Sequence, residues 1–152
     1  MLARLAFFCL LAAALTGCAS YNAARDTRGW FFNTDGEVKL VYGAPQSDDV
    51  ALMLSCQPRS GRVLVSQSAL RPGDGITLSS AGRQATLYGE AEPDRLNGGV
   101  MMMAETSATS PVLTAFRDTG RVGVVENGRS AELYATAAEQ MQIREFFGAC
   151  AA

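Results

Sequence analysis

The sequence predicts a mainly β, α+β fold: an antiparallel β-sandwich or small barrel of about 8–9 short strands, with one short helix and a C-terminal helix packed on the sheet. Three observations lead to this prediction. Short apolar stretches recur at intervals of roughly 8–12 residues and are separated by turn residues. Two hairpin signals occur, at Asp35-Gly36 and Asn127-Gly128. The last stretch, from Thr136 to Cys150, has the apolar spacing of an amphipathic helix.

Nine strands are expected, over residues 30–33, 38–42, 50–56, 62–67, 76–79, 83–89, 100–106, 121–126 and 129–134. In the third of these, Val50, Leu52, Leu54 and Cys56 fall on one pleat face, and Met53 is apolar on the other face. A strand that is apolar on both faces is typical of the centre of a sheet. Residues 90–99 contain several turn residues and are expected to form a longer loop.

Two helices are expected. Ser110-Pro111 reads as an N-cap followed by proline at the first helical position, which predicts a short helix to Thr119. Thr136 and Glu139 have the spacing of a capping box and begin the second helix. Its apolar residues recur at positions i, i+3, i+4 and i+7, namely Ile143, Phe146, Phe147 and Cys150.

The first 20 residues have the order of an exported chain. Arg4 precedes an uncharged apolar run of 11 residues, from Leu5 to Leu15, and small residues follow it. This order is typical of a secretory signal peptide, and the run is shorter than the roughly 20 residues that cross a bilayer as a helix. We expect residues 1–17 to be a removable signal, residues 18–29 a short tether and residues 30–152 a single β-rich domain.

Leu15-Thr16-Gly17-Cys18 resembles the lipobox of bacterial lipoproteins. The resemblance implies that Cys18 carries a diacylglycerol thioether, that the chain is cut before it and that the new amino group is acylated. Two or three fatty chains, such as palmitate, would hold the chain on a membrane, because each buried CH₂ contributes about 0.8 kcal/mol. Ala19 rather than Asp follows the cysteine, which in this family favours the periplasmic face of the outer membrane. The alternatives are the inner membrane or, after cleavage near Ala19, the soluble periplasm.

Two of the four cysteines remain for the folded domain. Cys9 leaves with the signal and Cys18 is used by the lipid. An even pair in an oxidising compartment predicts a disulfide between Cys56 and Cys150, where the last helix lies on the central strand. A redox or metal-binding pair is the alternative, although CxxC spacing is missing. The Leu-Ser-Cys strand end and the closing Phe-Phe-x-x-Cys helix also resemble uncharacterised bacterial envelope proteins, which implies no residue roles.

The composition excludes several kinds of site. The chain has no histidine, so a Ser-His-Asp triad, a Cys-His dyad and a His-ligated zinc site are excluded. The net charge of −2 becomes −3 when Arg4 leaves with the signal, and no basic block exists. Nucleic acid is therefore not an expected partner, and no cofactor is expected. The expected partners are the membrane, through the N-terminal lipid, and another envelope protein.

Several residues are weak candidates for binding or catalysis. Asp48 and Asp49 are adjacent carboxylates, which can divide acid and base roles when their pKa values differ, but Asp before a strand is also ordinary turn chemistry. Arg117 and Arg121 are candidates for an anion-binding cluster, or else solvated surface residues. The same cluster would include Arg129 and Arg144.

Two apolar clusters have a structural and a functional interpretation. Met101-Met102-Met103 provides thioethers of the kind that select Cu(I), but methionine is also ordinary core filler. In Trp30-Phe31-Phe32, one pleat face must hold two of the three rings. Burial in the core is the simpler expectation, and contact with a membrane or partner is the alternative.

The leading hypothesis is a binding or structural module, anchored by lipid and facing the periplasm. The second is an inhibitor of lysozyme or of a protease, by analogy with lipid-anchored lysozyme inhibitors, which are also small, β-rich and disulfide-bonded. The third is an enzyme that uses carboxylates, with Asp48, Asp49 or Asp74 as candidates.

Overall fold

Ten strands and two helices make up the part of the chain that the computed structural model describes, residues 28–95, 98–126 and 128–152. The strands are β1 (Gly29–Asn33), β2 (Val38–Gly43), β3 (Val50–Cys56), β4 (Arg62–Ala69), β5 (Ile76–Ser80), β6 (Arg83–Leu87), β7 (Glu90–Pro93), β8 (Val100–Ser107), β9 (Arg121–Glu126) and β10 (Arg129–Tyr134). The helices are α1 (Pro111–Thr119) and α2 (Ala137–Cys150). The expected signal peptide, the lipobox with Cys18 and the turn residue Asn127 lie outside the described residues.

The strands form two antiparallel sheets. Sheet A has six strands in the order β1-β2-β3-β4-β8-β7, and sheet B has four in the order β10-β9-β5-β6. The predicted mainly β, α+β fold with antiparallel sheets is confirmed. Both sheets are open, which corresponds to the sandwich and not to a closed barrel. The predicted central position of β3 is also confirmed, because β3 pairs with β2 on one side and β4 on the other.

Sheet A has an inner face that is buried and an outer face that points the other way. The register places these residues side by side across five strands of the inner face: Trp30, Tyr42, Leu52, Gln67 and Met102. All five are buried. Phe32 shares this face and packs against the core, whereas Phe31 points outward and is 41% exposed. The expectation that two of the three adjacent rings enter the core is therefore confirmed.

The chain passes from sheet B to sheet A at Gly89. Strand β6 ends just before it and pairs with β5, while β7 begins just after it and pairs with β8. A Cβ at Gly89 would lie 1.9 Å from the carbonyl oxygen of Met103 and 2.8 Å from Cα of Ala104, so the crossing requires glycine. Strands that switch sheets in this way form the corners of a sandwich.

The predicted loop over residues 90–99 is wrong for its first part, because residues 90–93 form β7. This strand is exposed along its whole length, so it lacks the alternation that identifies half-buried strands. It also carries Pro93, which an edge strand tolerates because one side of its backbone has no partner strand.

Helix α2 packs on the inner face of sheet A, and helix α1 reaches the same face through Phe116. Cys150 at the end of α2 is disulfide-bonded to Cys56 at the end of β3, as predicted. The ring of Phe116 in α1 lies 4.8 Å from that of Trp30 in β1 and 6.1 Å from that of Phe147 in α2, centroid to centroid. Helix α1 also contacts β5, β6 and β9 of sheet B. The aromatic cluster therefore joins both helices to both sheets.

The two helices begin differently. The predicted capping box of α2 is confirmed: Thr136 Oγ1 accepts from the amide of Glu139 (3.3 Å), and Glu139 Oε2 accepts from the amide of Thr136 (2.6 Å). The other carboxylate oxygen, Glu139 Oε1, accepts from the amide of Trp30 at 3.0 Å and so ties edge strand β1 to the helix. Helix α1 begins at Pro111 as predicted, but the Ser110 side chain makes no capping hydrogen bond.

Reduction of the Cys56–Cys150 bond is expected to lower the free energy of unfolding by about 4–5 kcal/mol. The two cysteines are 94 residues apart, and opening a loop of that length returns conformational entropy to the unfolded chain. Urea denaturation with and without a thiol reductant measures the change. The Cys56→Ala/Cys150→Ala variant is the control and should not respond to the reductant. The prediction would be contradicted if the reductant did not change the urea midpoint of the wild-type protein.

Gly89→Ala is expected to destabilise the domain by about 2–3 kcal/mol or more, because the new methyl group meets backbone that cannot move aside. Gly148→Ala is the matched control. A Cβ there meets nothing within 4 Å, and alanine is the better helix former by about 0.5–1 kcal/mol, so this variant should be slightly stabilised. Thermal unfolding of both variants tests the pair, and equal stability of the two proteins would refute it.

Candidate functional site

A cleft of about 750 Å³ opens beside the end of β4. One wall is the segment of residues 70–75, which joins β4 to β5, and another is formed by Thr77, Thr86 and Val125 of sheet B. Tyr88, next to the corner glycine, borders the same space. The volume lies within the range of roughly 300–1,000 Å³ that is usual for ligand pockets.

Exposed apolar side chains are concentrated around this cleft. Among the described residues six large apolar side chains are classed as exposed, and three of them line the cleft: Leu70 (71%), Tyr88 (76%) and Val125 (41%). Single exposed apolar residues are common on protein surfaces, but a group of them around a concavity marks a contact site.

The floor of the cleft joins the two sheets. Gln67 and Met102 are cross-strand neighbours on the inner face of sheet A and are 4% and 5% exposed. Gln67 Nε2 donates a hydrogen bond of 2.8 Å to the carbonyl oxygen of Val125 in sheet B. Because a buried amide must be paired to avoid a desolvation cost, this bond holds the floor in place.

The cleft wall also carries polar groups. The hydroxyls of Thr77 and Thr86 lie 3.1 Å apart and share a hydrogen bond. Arg71 and Asp74 are the charged residues among the described residues that line the cleft. Such a mixed wall suits an apolar side chain whose neighbours are polar enough to pair with the hydroxyl and charged groups of the cleft.

The cleft does not gather the three candidate carboxylates. Asp48 and Asp49 lie in the exposed turn before β3 and are not part of its lining. Arg28 donates to both carboxylate oxygens of Asp49, from Nε and Nη2, at 3.0 Å each. Asp74 does line the cleft and is the single carboxylate among its described lining residues. The described lining of the cleft therefore has no second carboxylate with which Asp74 could divide acid and base roles.

Two of the four candidate arginines, Arg117 and Arg121, contact different groups. Arg117 Nε donates to Asp118 at 2.9 Å, at the end of α1. The guanidinium of Arg121 lies 5.5 Å from the ring centroid of Tyr134, a cation–π arrangement. The phenol of Tyr134 donates to Glu132 at 2.8 Å, and this hydrogen bond raises the pKa of Tyr134 above its ordinary value. Neither arginine lines the cleft.

The three consecutive methionines are divided between the two faces of sheet A. Met102 is in the floor of the cleft, whereas Met101 and Met103 point outward and are half-buried. Met53 shares the outer face, with Ser66 between it and Met103, and Met141 is 60% exposed on α2.

The sequence patterns did not single out Gln67, Leu70, Tyr88 or Val125. Two of these residues carried a weak signal, because Leu70 directly precedes the turn-rich segment 71–75 and Tyr88 directly precedes Gly89. A large apolar side chain at a turn is exposed unless something covers it. Gln67 and Val125 carried no such signal in the sequence. Their hydrogen bond depends on how sheet A packs against sheet B.

Comparisons with known proteins assign no family to this chain: no family model matches it, and neither the curated proteins nor the solved structures include a significant match. Within the described residues no group of three or more Cys, Asp or Glu side chains is placed to hold a metal ion. The helices found in this part of the chain are too short or too polar to cross a membrane.

Proposed function

We propose that this chain is a lipid-anchored lipoprotein of the bacterial envelope, held through Cys18 at the periplasmic face of the outer membrane. Its β-rich domain would then be a binding module for another envelope protein. The lipobox Leu15-Thr16-Gly17-Cys18 supports the anchoring. The Cys56–Cys150 disulfide is consistent with export, because such bonds persist in oxidising compartments.

The anchor restricts where the module works. Ten residues, 19–28, separate Cys18 from the start of β1 and reach at most about 36 Å when fully extended. The start of β1 must therefore lie within that distance of Cys18, so a partner has to reach a module that stays close to the membrane surface. Both membrane proteins and periplasmic proteins that lie on the membrane meet this requirement.

The observation that carries the binding part of the proposal is the cleft bordered by Leu70, Tyr88 and Val125. An apolar side chain of the partner would enter between Leu70 and Tyr88 and rest on Met102. Large aromatic and apolar anchors of this kind contribute most of the free energy in many protein interfaces. The paired amide of Gln67 keeps the floor preformed, which reduces the entropy cost of binding.

A photoreactive phenylalanine analogue at position 88 is expected to crosslink to one envelope protein in living cells, giving a discrete product of higher mass. The same analogue in place of Tyr134 is the matched control, because Tyr134 is also an exposed tyrosine (54%) and does not line the cleft. Leu70→Ser should reduce the product from position 88 about tenfold, since it removes the adjoining apolar wall. Equal products from positions 88 and 134 would exclude the cleft as the binding site.

The anchor has its own test. The envelope-extracted protein is expected to begin at Cys18 and to be heavier than residues 18–152 by a diacylglyceryl group and one further acyl chain. Cys18→Ser should abolish metabolic labelling with a fatty acid, and Cys9→Ser should leave it unchanged. Intact-protein mass spectrometry and labelling give the two readouts. An unmodified amino terminus would disprove lipid anchoring without bearing on the cleft.

A further inference from the structure

The outer face of sheet A is unusually apolar for an antiparallel sheet that faces solvent. The register places Phe31, Val41, Met53, Ser66 and Met103 side by side across β1, β2, β3, β4 and β8. Four of these five side chains are apolar. Antiparallel sheets with one solvated face normally alternate apolar residues inward with polar residues outward, so this row, called here the outer row, departs from the usual pattern.

The rest of the described structure packs on the opposite face of sheet A. Helix α2 is bonded there through Cys56, and helix α1 packs there against Trp30. Sheet B is attached to the same side through the hydrogen bond of Gln67. Within the described residues, therefore, neither a helix nor a second sheet packs on the outer row.

Charged residues flank the outer row in two ion pairs, Lys39 with Glu37 at 3.4 Å and Arg62 with Glu105. In the adjacent row, Lys39 lies on β2 and Glu105 on β8, with Ser55 and Leu64 between them. Arg62 donates to Glu105, and this hydrogen bond lowers the pKa of Glu105 below its ordinary value, so the carboxylate is ionised at neutral pH. Both side chains remain accessible, at 41% for Lys39 and 50% for Glu105.

We propose that the outer face of sheet A is a self-association surface, on which a second copy of this chain packs sheet to sheet. β2 is the second and β8 the fifth of the six strands. A two-fold axis parallel to the strands, between β3 and β4, therefore exchanges their positions. In such a dimer Lys39 of each copy faces Glu105 of the other, and Val41 faces Met103. The interface is isologous, as in most soluble homodimers.

The charges favour a second copy over a lipid surface. Glu90 and Glu92 also point outward from β7, next to Met103 and Met101. With Glu105 they form an acidic side, which an anionic bilayer would repel. The opposite side of the same face carries Lys39 beside Glu37, and the two-fold axis places Lys39 of one copy opposite Glu105 of the other. Glu90 then faces Phe31 at the edge of the interface.

The size of the face predicts a weak dimer. Six strands spaced by about 4.8 Å and about six residues of each strand give a footprint of roughly 500 Å² for each copy. Two copies would bury about 1,000 Å², near the lower limit for specific association. We therefore expect weak association that depends on the concentration of the chain.

Crosslinking of the full-length chain in living cells tests this surface. In the proposed dimer the two copies of Met53 lie about 11 Å apart, from a sheet separation of about 10 Å and one strand spacing. Met53→Cys should therefore give a product of twice the chain mass with a short bis-maleimide. Met141→Cys is the matched control, because Met141 is 60% exposed on α2, and it should give no such product. Retention of the Cys56–Cys150 bond on non-reducing gels confirms that each variant is folded.

Reversal of the charges of Lys39 and Glu105 tests whether these two residues face each other in the dimer. In the Met53→Cys background, Lys39→Glu alone and Glu105→Lys alone should each reduce the dimer product about threefold or more, because each places like charges opposite one another. The double reversal should restore it. A missing product, a product with the mass of a different protein, or a double reversal that fails to restore dimerisation would overturn the proposal. The cleft experiments are independent of these outcomes, since Met53 does not line the cleft.

Discussion

The attachment of helix α2 to the inner face of sheet A is the constraint on which the rest of the structure depends. The Cys56–Cys150 bond joins the last residue of the helix to the central strand β3. Backbone amides of Arg59 and Gly61, in the turn after β3, donate to the carbonyl oxygens of Ala149 and Cys150 at 2.9 Å, so the end of the helix is also satisfied by hydrogen bonds. At the other end of α2, Glu139 binds the amide of Trp30. Held at both ends, α2 presents Phe147 to α1, which in turn packs on sheet B.

Because everything described packs on one face of sheet A, the molecule has two chemically different apolar surfaces. The cleft is concave, has a preformed floor and is bordered by Leu70, Tyr88 and Val125, so it suits an inserted side chain. The outer row spans five strands, so it suits another sheet. The two surfaces can act together, since a dimer formed through the outer row leaves both clefts accessible to partners. Two clefts on one particle would strengthen binding to a partner that is itself repeated.

Much of the fold could be predicted because its signals are local. The apolar run of β3, the hairpin of β9 and β10 and the capping box of Thr136 with Glu139 each depend on residues that are close in sequence. Strand β7 was missed because an exposed edge strand has no buried face to produce alternation. The candidate site was missed for a different reason. Gln67 and Val125 are 58 residues apart and meet only because the chain changes sheets at Gly89, which no local pattern records.

By itself, the sequence determined most of the secondary structure of the described residues, which follows from periodicity and turn chemistry. It also predicted the partnership of Cys56 with Cys150, given the expectation that Cys9 and Cys18 belong to the signal and the anchor. It also excluded every site that needs histidine. Only the tertiary structure decided which apolar residues are covered. Phe31 and Phe32 are adjacent residues of the same type, yet Phe31 points outward and Phe32 packs against the core. The physical reason is that burial depends on what lies across the sheet, and that is decided by the docking of α2, α1 and sheet B on one face.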